Sequence, residues 1–340
     1  MDREAWPMIT VIVPVRNEAR CIERTLTKIA QFNYPRSRYE VIVADGQSED
    51  DTADRVRRLQ QRFPHIRLFE NPKRWSSAAR NIGVRNGRGE IFVVIDGHCD
   101  IDDPNYLRHV VRAFRETGAD CLGRPQPLEI DHATPLQEAI ALARRSWLGH
   151  NPASYIYSSE GRFVKASSVA VAYRREVFEK IGLFDEAFDA CEDVELNHRI
   201  DASGLRCWFA PELAVHYHPR KSIPALMKQM ARYGRGRVRL ACKHPEALTF
   251  PAAAPLIFFL TCLGLLVAGL WWREAALLGA GLASSYVLVV LLASTGLARR
   301  AARMASRCWL PVVFVAVHLG FAWGTLREVL RQVRLAAVSV

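Results

Sequence analysis

The stretch from Ile91 to Asp103 holds the side chains whose types and spacing best suit metal chemistry. An apolar run, Ile91 to Ile95, leads into a turn that contains one histidine and four carboxylates: Asp96, His98, Asp100, Asp102 and Asp103. Carboxylates this close repel one another unless a positive charge lies among them, and a divalent cation that carries a diphosphate would supply it. A solvated acidic loop that caps the next helix is the alternative, and the residues alone leave both open.

Polar residues also stand where the other predicted strands end. Pro14, Arg16 and Glu18 close the first predicted strand, and Asp45 directly follows the second, as Asp96 follows the central one. Each residue singly has an alternative role as a turn former or helix cap. Because parallel strands bring their carboxyl ends to one edge of a sheet, we expect these residues to line a crevice where carboxylates bind a base or ribose.

Charged residues on later elements are candidates for phosphate binding, proton transfer and metal binding. Arg80 lies on a helix of small residues before the central strand, where it suits a diphosphate or a structural ion pair. Glu192 and Asp193 begin a predicted helix, where the helix dipole favours acids and where a general base can also stand. His218, two residues after His216, is a candidate further metal ligand, although a lone histidine is more often structural.

The elements that must position these residues alternate between strand and helix. Short apolar runs rich in Val and Ile alternate with amphipathic helical patterns over the first two-thirds of the chain. This alternation predicts an α/β fold with a mainly parallel sheet. We assign residues 1–219 to this domain, which would carry all the candidate residues above.

The remaining chain predicts attachment to a membrane. Arg220 to Lys243 contains eight Lys or Arg and no acid, and its apolar residues follow a helical period, so residues 220–248 are predicted to form a basic amphipathic interface segment. Residues 249–340 contain three apolar segments, which predict about three transmembrane helices. Since these spans follow the basic helix at once, an anionic membrane surface explains the net charge of +11 better than nucleic acid does.

The third apolar segment conflicts with charge rules. A complete third span would place Arg327, Arg331 and Arg334 outside, against the positive-inside bias. Three spans are our expectation, and a re-entrant or interfacial third segment is the alternative. No secretory signal opens the chain, and its eight cysteines form no C-x-x-C pair. We therefore expect a multi-pass protein of the inner (cytoplasmic) membrane whose catalytic domain faces the cytoplasm.

Five motifs occur in order along residues 8 to 240. They are Val11–Glu18 (VIVPVRNE), Val43–Thr52 (VADGQSEDDT), Ala79–Gly83 (ARNIG), Ile95–His98 (IDGH) and Glu192–Arg199 (EDVELNHR). Together they resemble the family 2 inverting glycosyltransferases of GT-A fold. The chain looks most like the membrane-anchored exopolysaccharide branch, which includes succinoglycan-biosynthesis-type enzymes.

The resemblance implies a Rossmann-like GT-A domain, a nucleotide-sugar donor that is usually a UDP-sugar, and a divalent metal, Mn²⁺ or Mg²⁺. It matches Asp45 with the contact to the base, and Asp96 and His98 with the D-x-D positions, with His in place of the second Asp. Asp193 matches the catalytic base, beside Glu192 as the nearest rival. Pro14, Arg16, Glu18 and Arg80 complete the expected donor site, and Gln229, Arg232 and Tyr233 resemble the Q-x-x-R-W signature, with Tyr for Trp.

These observations lead to an expectation of sugar transfer, with inversion, from a UDP-sugar to a membrane-held acceptor that is polyprenyl-linked or a polysaccharide. A nucleotidyltransferase is one alternative, although the chain contains no G-x-x-x-x-G-K-[ST] phosphate loop. A non-catalytic, membrane-anchored nucleotide-binding protein is the other. Turnover of a labelled nucleotide sugar distinguishes the three.

Overall fold

A computed structural model describes residues 6–150 and 154–338 of the chain. Among them, eight strands form one mixed sheet in the order β3-β2-β1-β4-β7-β5-β8-β6. The strands are β1 (Ile9–Val15), β2 (Tyr39–Asp45), β3 (Ile66–Glu70), β4 (Ile91–Val94), β5 (Cys121–Gly123), β6 (Arg162–Val164), β7 (Ala170–Arg174) and β8 (Cys207–Phe209). The first four strands are parallel, and β7 runs antiparallel to its neighbours β4 and β5. The predicted α/β fold with a mainly parallel sheet is therefore confirmed.

Eleven α-helices accompany this sheet in the described residues. They are α1 (Ile22–Ala30), α2 (Thr52–Arg62), α3 (Ser76–Asn86), α4 (Tyr106–Thr117), α5 (Pro135–Arg144), α6 (Arg175–Ile181), α7 (Glu192–Ala202), α8 (Ile223–Lys243), α9 (Phe250–Ala268), α10 (Arg273–Ala298) and α11 (Met304–Val338). Three of them, α9, α10 and α11, are long and apolar enough to cross a membrane.

Both faces of the sheet are buried, which explains why its central strands are apolar without interruption. Successive residues of a strand point to opposite faces, so Val11 and Val13 join one core cluster while Ile12 joins the other. Leu26 of α1 packs in the first cluster, and Leu196 of α7 packs in the second. The helices thus lie on both sides of the strands and leave the carboxyl edge of the sheet to loops.

One apolar, strand-like stretch does not form a continuous strand. The apolar stretch from Phe163 to Tyr173 divides into β6 and β7, with a single 3-10 turn between them. The Asp201 carboxylate of α7 accepts hydrogen bonds from the backbone N–H groups of Ala166 (2.6 Å) and Ser167 (3.1 Å). This side chain, distant in sequence, holds the turn and ends the strand pairing there.

The chain divides into two compact units. The first contains Met1–Pro127 and Ala153–Tyr217, and the second contains Leu128–Pro152 and His218–Val340. The first unit contains the whole sheet. The second contains α5 and α8 to α11, so α5 groups with the C-terminal helices although it lies within residues 1–219. The division into residues 1–219, 220–248 and 249–340 stays a prediction.

Candidate active site

The loops after β1 and β2 interlock at the carboxyl edge of the sheet. The Asn17 N–H donates to Ser48 Oγ (2.9 Å), and the Glu49 N–H donates to Asn17 Oδ1 (2.8 Å). Asn17 and Gln47 both adopt left-handed backbone conformations, with φ of 56° and 54°. Such conformations cost free energy for residues other than glycine and persist where surrounding contacts hold them. At the edge where the sequence predicts a binding crevice, hydrogen bonds between the two loops thus hold two residues in unfavourable backbone conformations.

Asp45 ends β2 beneath these loops. It is 7% exposed, and its carboxylate accepts a hydrogen bond from the Ser48 N–H (3.1 Å). The next residue is Gly46, and a side chain there would be crowded: its Cβ would lie 3.2 Å from the Arg74 carbonyl oxygen and 3.4 Å from Arg16 Cβ. Pro14 and Arg16 close the neighbouring strand, and Pro14 is half-buried in register with Ala44. The predicted donor residues of the first two strands therefore stand side by side.

Asp96 and His98 stand just past β4, as predicted. The Tyr217 hydroxyl donates to Asp96 Oδ2 (2.7 Å), and the His98 ring meets the Tyr217 ring edge-on at 5.7 Å. Burial opposes ionisation of Asp96, but the electrostatic effects of nearby His98 and Arg80 and the Tyr217 hydrogen bond outweigh it and lower the pKa of the carboxyl group. Asp96 is accordingly held as a carboxylate.

The other carboxylates of this stretch have protein partners. Lys28 of α1 forms ion pairs with Asp100 and with Asp102 (2.8 Å), and Arg24 lies 3.3 Å from Asp100. Asp103 pairs with His109 of α4 at 2.8 Å. Basic side chains thus supply much of the positive charge that these carboxylates require, and Asp96 and His98 are the residues of this stretch left to hold a metal.

The donor set at Asp96 and His98 fits a divalent cation. Glu18 Oε1 lies 2.9 Å from His98 Nδ1. Histidines that bind metals commonly have a carboxylate on the other ring nitrogen, which orients the ring and raises its basicity. A carboxylate and an imidazole suit Mn²⁺, and they suit Mg²⁺ less well because it prefers oxygen. Glu18, predicted as a donor residue, here supports His98.

Arg80 of α3 meets the acidic start of α7. Its side chain is 11% exposed, lies over the Phe184 ring and places Nη2 3.4 Å from Glu192 Oε1. Its buried Nε has no hydrogen-bond partner among the described residues. Burial and the neighbouring Asp193 raise the pKa of Glu192 in spite of Arg80. Arg80 therefore combines the two roles that the sequence left open: it forms a structural ion pair and keeps a donor for a further acceptor.

The three acids at the start of α7 have different surroundings. Glu195 is fully buried and paired with Arg199 (2.9 Å). Asp193 is half-buried, and its carboxylate accepts from the Val194 N–H (2.9 Å). Cys191, just before the helix, has a left-handed φ of 61°. The left-handed backbone of Cys191 changes the chain direction just before the helix that carries these acids.

Two residues of this region, one partly buried and one buried, were not predicted from the sequence. Tyr217 contacts both Asp96 and His98, and it lies between the two histidines that drew attention at residues 216 and 218. Arg124, directly after β5, is 1% exposed and donates to the Tyr106 hydroxyl (2.8 Å). Its charge also helps to lower the pKa of Asp96. An arginine directly after an apolar strand was the available signal.

The remaining predicted residues belong to the second unit. His218 begins its C-terminal part, and its role as a further metal ligand stays a prediction. Gln229 and Tyr233 lie one turn apart on α8, where Gln229 Nε2 donates to the Tyr233 hydroxyl (3.2 Å). Arg144 of α5 lies over the Tyr233 ring at 5.8 Å, and Arg232 is exposed.

Relatives and solved structures agree with this architecture. The chain is 31% identical over 283 residues to the succinoglycan biosynthesis protein ExoA of Rhizobium meliloti (strain 1021), covering 80% of this chain and 84% of the relative. It is 28% identical over 235 residues to the glycosyltransferase AglE of Haloferax volcanii, covering 69% and 74%. The mannosyltransferase PcManGT of Pyrobaculum calidifontis, solved with GDP-Man and Mn²⁺, has the same fold, with a TM-score of 0.58, 22% identity and coverage of 94% and 88%.

The family model for "Glycosyltransferase like family 2" matches residues 7–236, which include the sheet, the acidic turn after β4 and the start of α7. This match and the ExoA similarity confirm the family that the five sequence motifs indicated. The chain belongs to glycosyltransferase family 2.

Proposed function

We propose that this enzyme transfers a sugar, with inversion, from a UDP-sugar to a membrane-held acceptor. The observation that carries the proposal is the set of carboxylates at one sheet edge, with Asp45 and Asp96 past parallel strands and Asp193 at the start of α7. A carboxylate beside a nucleotide crevice suits base recognition, and another suits proton transfer.

Asp193 is proposed to remove the proton of the acceptor hydroxyl. Glu192 is engaged by Arg80 and Glu195 by Arg199, so Asp193 is the acid at this helix start best placed to take up a proton. The acceptor oxygen then attacks the anomeric carbon from the face opposite the nucleotide. This single displacement inverts the anomeric configuration.

Asp96 and His98 are proposed to hold the divalent cation, with Tyr217 and Glu18 orienting them. When bound, the cation would neutralise charge on the departing diphosphate. Arg80, whose buried Nε has no protein acceptor among the described residues, is proposed to donate to the same diphosphate. Asp45 is proposed to bind the base, with Pro14 and Arg16 beside it.

The acceptor is proposed to be polyprenyl-linked or a polysaccharide, contacted by Gln229, Arg232 and Tyr233. Relatives support a lipid or polysaccharide context: one is named for succinoglycan biosynthesis, and another, from Methanococcus voltae and 25% identical, is named as a transferase acting on a dolichyl-linked sugar phosphate. The long apolar helices provide attachment to the membrane that would hold such an acceptor.

The first unit is proposed to face the cytoplasm, where nucleotide sugars are made. A reporter enzyme fused after Trp272, between α9 and α10, is then expected outside, and one fused at Arg303 inside. The opposite pattern would place the first unit where nucleotide sugars are scarce and would remove the basis for the reaction.

Incubation of membranes containing the full chain with labelled UDP-sugars, Mn²⁺ and a polyprenyl-linked glycan acceptor tests the activity. We expect labelled acceptor, or slow release of UDP in its absence, and a product of inverted anomeric configuration by NMR. Release of pyrophosphate would instead identify a nucleotidyltransferase. Binding without any turnover would identify a nucleotide-binding protein, and GDP-sugars in parallel reactions test the base assignment.

A further inference from the structure

We infer that α11 does not cross the bilayer: it lies along the membrane surface, on the same side as α5 and α8, and the chain crosses the bilayer only through α9 and α10. This inference rests on the proposed attachment to a membrane and does not depend on sugar transfer. It concerns the second unit alone.

Burial first separates α11 from the other two apolar helices. None of the most apolar window of α9 is buried by protein, and 6% of that of α10 is buried, whereas half of that of α11 is buried. The apolar sides of α9 and α10 therefore remain for lipid, as expected of a hairpin of two spans. α11 instead buries half of its most apolar window against protein.

The first half of α11 is bound to α5. The Glu138 carboxylate of α5 accepts from the Ala302 N–H (2.6 Å) and the Ser306 hydroxyl (2.7 Å), where α11 begins. Further along, His318 Nε2 lies 2.9 Å from the Leu148 carbonyl oxygen, just past α5. Leu310, Val313 and Phe314 share one buried cluster with Ala139, Ile140 and Ala143.

α5 cannot cross the bilayer. It has 10 residues, which span roughly 15 Å, half of the hydrocarbon thickness. The chain enters its segment from the first unit at Leu128 and returns to the first unit after Pro152. The chain therefore places α5 on the same side of the bilayer as the first unit, and the part of α11 bound to α5 lies on that side too.

The second half of α11 is bound to α8. Gly320 and Gly324 allow the two backbones to touch: a Cβ on Gly320 would lie 2.9 Å from Met227 Cα, and one on Gly324 would overlap the Ala231 carbonyl group. Further along both helices, Arg239 Nε of α8 donates to Glu328 Oε1 of α11 (2.9 Å), and Glu328 is 1% exposed. The contacts advance together along both helices, so α8 and α11 run parallel.

α8 is also unable to cross. Its 21 residues contain six basic side chains: Lys228, Arg232, Arg235, Arg237, Arg239 and Lys243. Each basic residue near the centre of a span costs about 2.5–3.5 kcal/mol. Between them, α5 and α8 hold α11 from its start to Glu328, and the rest of the helix, from Val329 to Val338, is far shorter than the roughly 20 residues of a span.

The exposed face of α11 suits the bilayer surface. Val312, Leu319, Trp323 and Leu330 form an exposed apolar stripe, and tryptophan is favoured at the membrane–water boundary. This placement also removes the charge conflict, because Arg327, Arg331 and Arg334 then lie on the same side as the basic loop between α10 and α11: Arg299, Arg300 and Arg303.

Cysteine accessibility tests the inference in the full chain. Cys308 is exposed near the start of α11; Val333→Cys adds a thiol near its end, and Leu270→Cys adds one between α9 and α10. A membrane-impermeant maleimide is applied to intact cells and to inverted membrane vesicles. The modified sites are mapped by mass spectrometry, so that the other cysteines do not interfere. Ala336→Cys, exposed and away from the apolar stripe, provides a second position on α11 should Val333→Cys fold poorly.

We expect Cys308 and Val333→Cys to react from the same side and Leu270→Cys from the opposite side. Reaction of Val333→Cys or Ala336→Cys from the side of Leu270→Cys would overturn the inference, because α11 would then span the bilayer. Reaction of Leu270→Cys on the side of Cys308 would overturn it as well, because α9 and α10 would not cross. Neither outcome bears on whether the enzyme transfers sugar, which is measured separately.

Discussion

Three carboxylates within one helical turn of α7 have different chemistry because their neighbours differ. Glu195 pairs with Arg199, Glu192 pairs with Arg80, and half-buried Asp193 accepts from the Val194 backbone N–H at 2.9 Å. A general base must be ionised and able to reach substrate. These different neighbours therefore favour Asp193 as the base and Glu192 as the partner that neutralises buried Arg80.

Asp193→Asn is expected to lower kcat by about 10²–10⁴-fold while the affinity for the donor stays near wild type, because the amide keeps the shape but cannot accept the proton. Initial rates and donor binding measure the two effects. Glu192→Gln is the matched control, with a smaller expected loss of rate. Near-normal transfer by Asp193→Asn, together with a large loss in Glu192→Gln, would move the base to Glu192.

Metal removal tests the pair after β4. Chelator treatment is expected to abolish transfer, and added Mn²⁺ is expected to restore it. Asp96→Ala should prevent that restoration because a charged ligand is lost, whereas His98→Asp should retain activity with a preference shifted toward the harder Mg²⁺. Rates across a metal series measure both variants. Full activity after exhaustive chelation would contradict the metal assignment.

At the scale of elements, buried polar contacts connect the strands that carry the site. Glu40 of β2 is 1% exposed and accepts from the Thr10 hydroxyl of β1 (3.0 Å), the Arg88 N–H (2.6 Å) and Arg67 Nη1 (3.0 Å). Burial alone would raise the pKa of Glu40, but these hydrogen bonds outweigh it and lower the pKa. The carboxylate thus ties β1, β2 and the loop after α3 together.

Glu40→Gln is expected to lower the free energy of unfolding by about 1–3 kcal/mol at pH 7, because a charged acceptor of several hydrogen bonds is lost. Since the folded pKa is depressed, this stabilisation is complete above the unfolded value, about 4.3, and is lost as pH falls through the folded pKa. In detergent, the gap between the thermal unfolding midpoints of wild type and variant should therefore narrow below about pH 4. A gap that widens there would contradict the role of Glu40.

Gly83 of the ARNIG motif is expected to be a packing residue. A Cβ there would lie 2.7 Å from Ile12 Cγ1, because α3 packs closely on β1. Gly83→Ala should cost about 1–3 kcal/mol of stability through overpacking. Gly296→Ala, also helical but with no atom within 4 Å of the added Cβ, is the control and should be neutral or slightly stabilising. Equal unfolding midpoints for the two variants would reject the packing role.

At the scale of the whole molecule, charge and apolar surface both point to the membrane. The net charge is +11, and α8 alone contributes six basic residues. Basic residues near an anionic bilayer gain about 1 kcal/mol each, and salt screens this attraction. The second unit therefore combines helices long and apolar enough to cross a membrane with a basic helix suited to an anionic surface.

The full chain reconstituted in vesicles should transfer sugar faster with anionic lipid than with zwitterionic lipid alone. The expected physical cause is attraction of the basic helix to the surface, so the difference should shrink as ionic strength rises. Initial rates in both vesicle types across a salt series measure it. Equal rates at low salt would show that the basic residues serve another purpose.

The sequence by itself determined the parallel half of the sheet and where chemistry follows it. Strand periods and turn residues are local signals, so β1 to β4 and the residues Asp45 and Asp96 at their ends were predicted near their observed places. Tertiary structure decided which acids are neutralised by protein. Asp100 meets Lys28, 72 residues away, and Asp96 meets Tyr217, 121 residues away. Contacts between such distant residues leave no periodic trace in one sequence.

The environment of α11 also depends on tertiary contacts that the sequence does not reveal. Its length and hydropathy, which the sequence contains, are those of a span. Its burial against α5 and α8 depends on Glu138 and on two glycines that allow helices to touch, Gly320 and Gly324, and composition cannot distinguish those from glycines that face lipid. Hydropathy determines that a helix prefers an apolar environment, and only packing decides whether lipid or protein provides it.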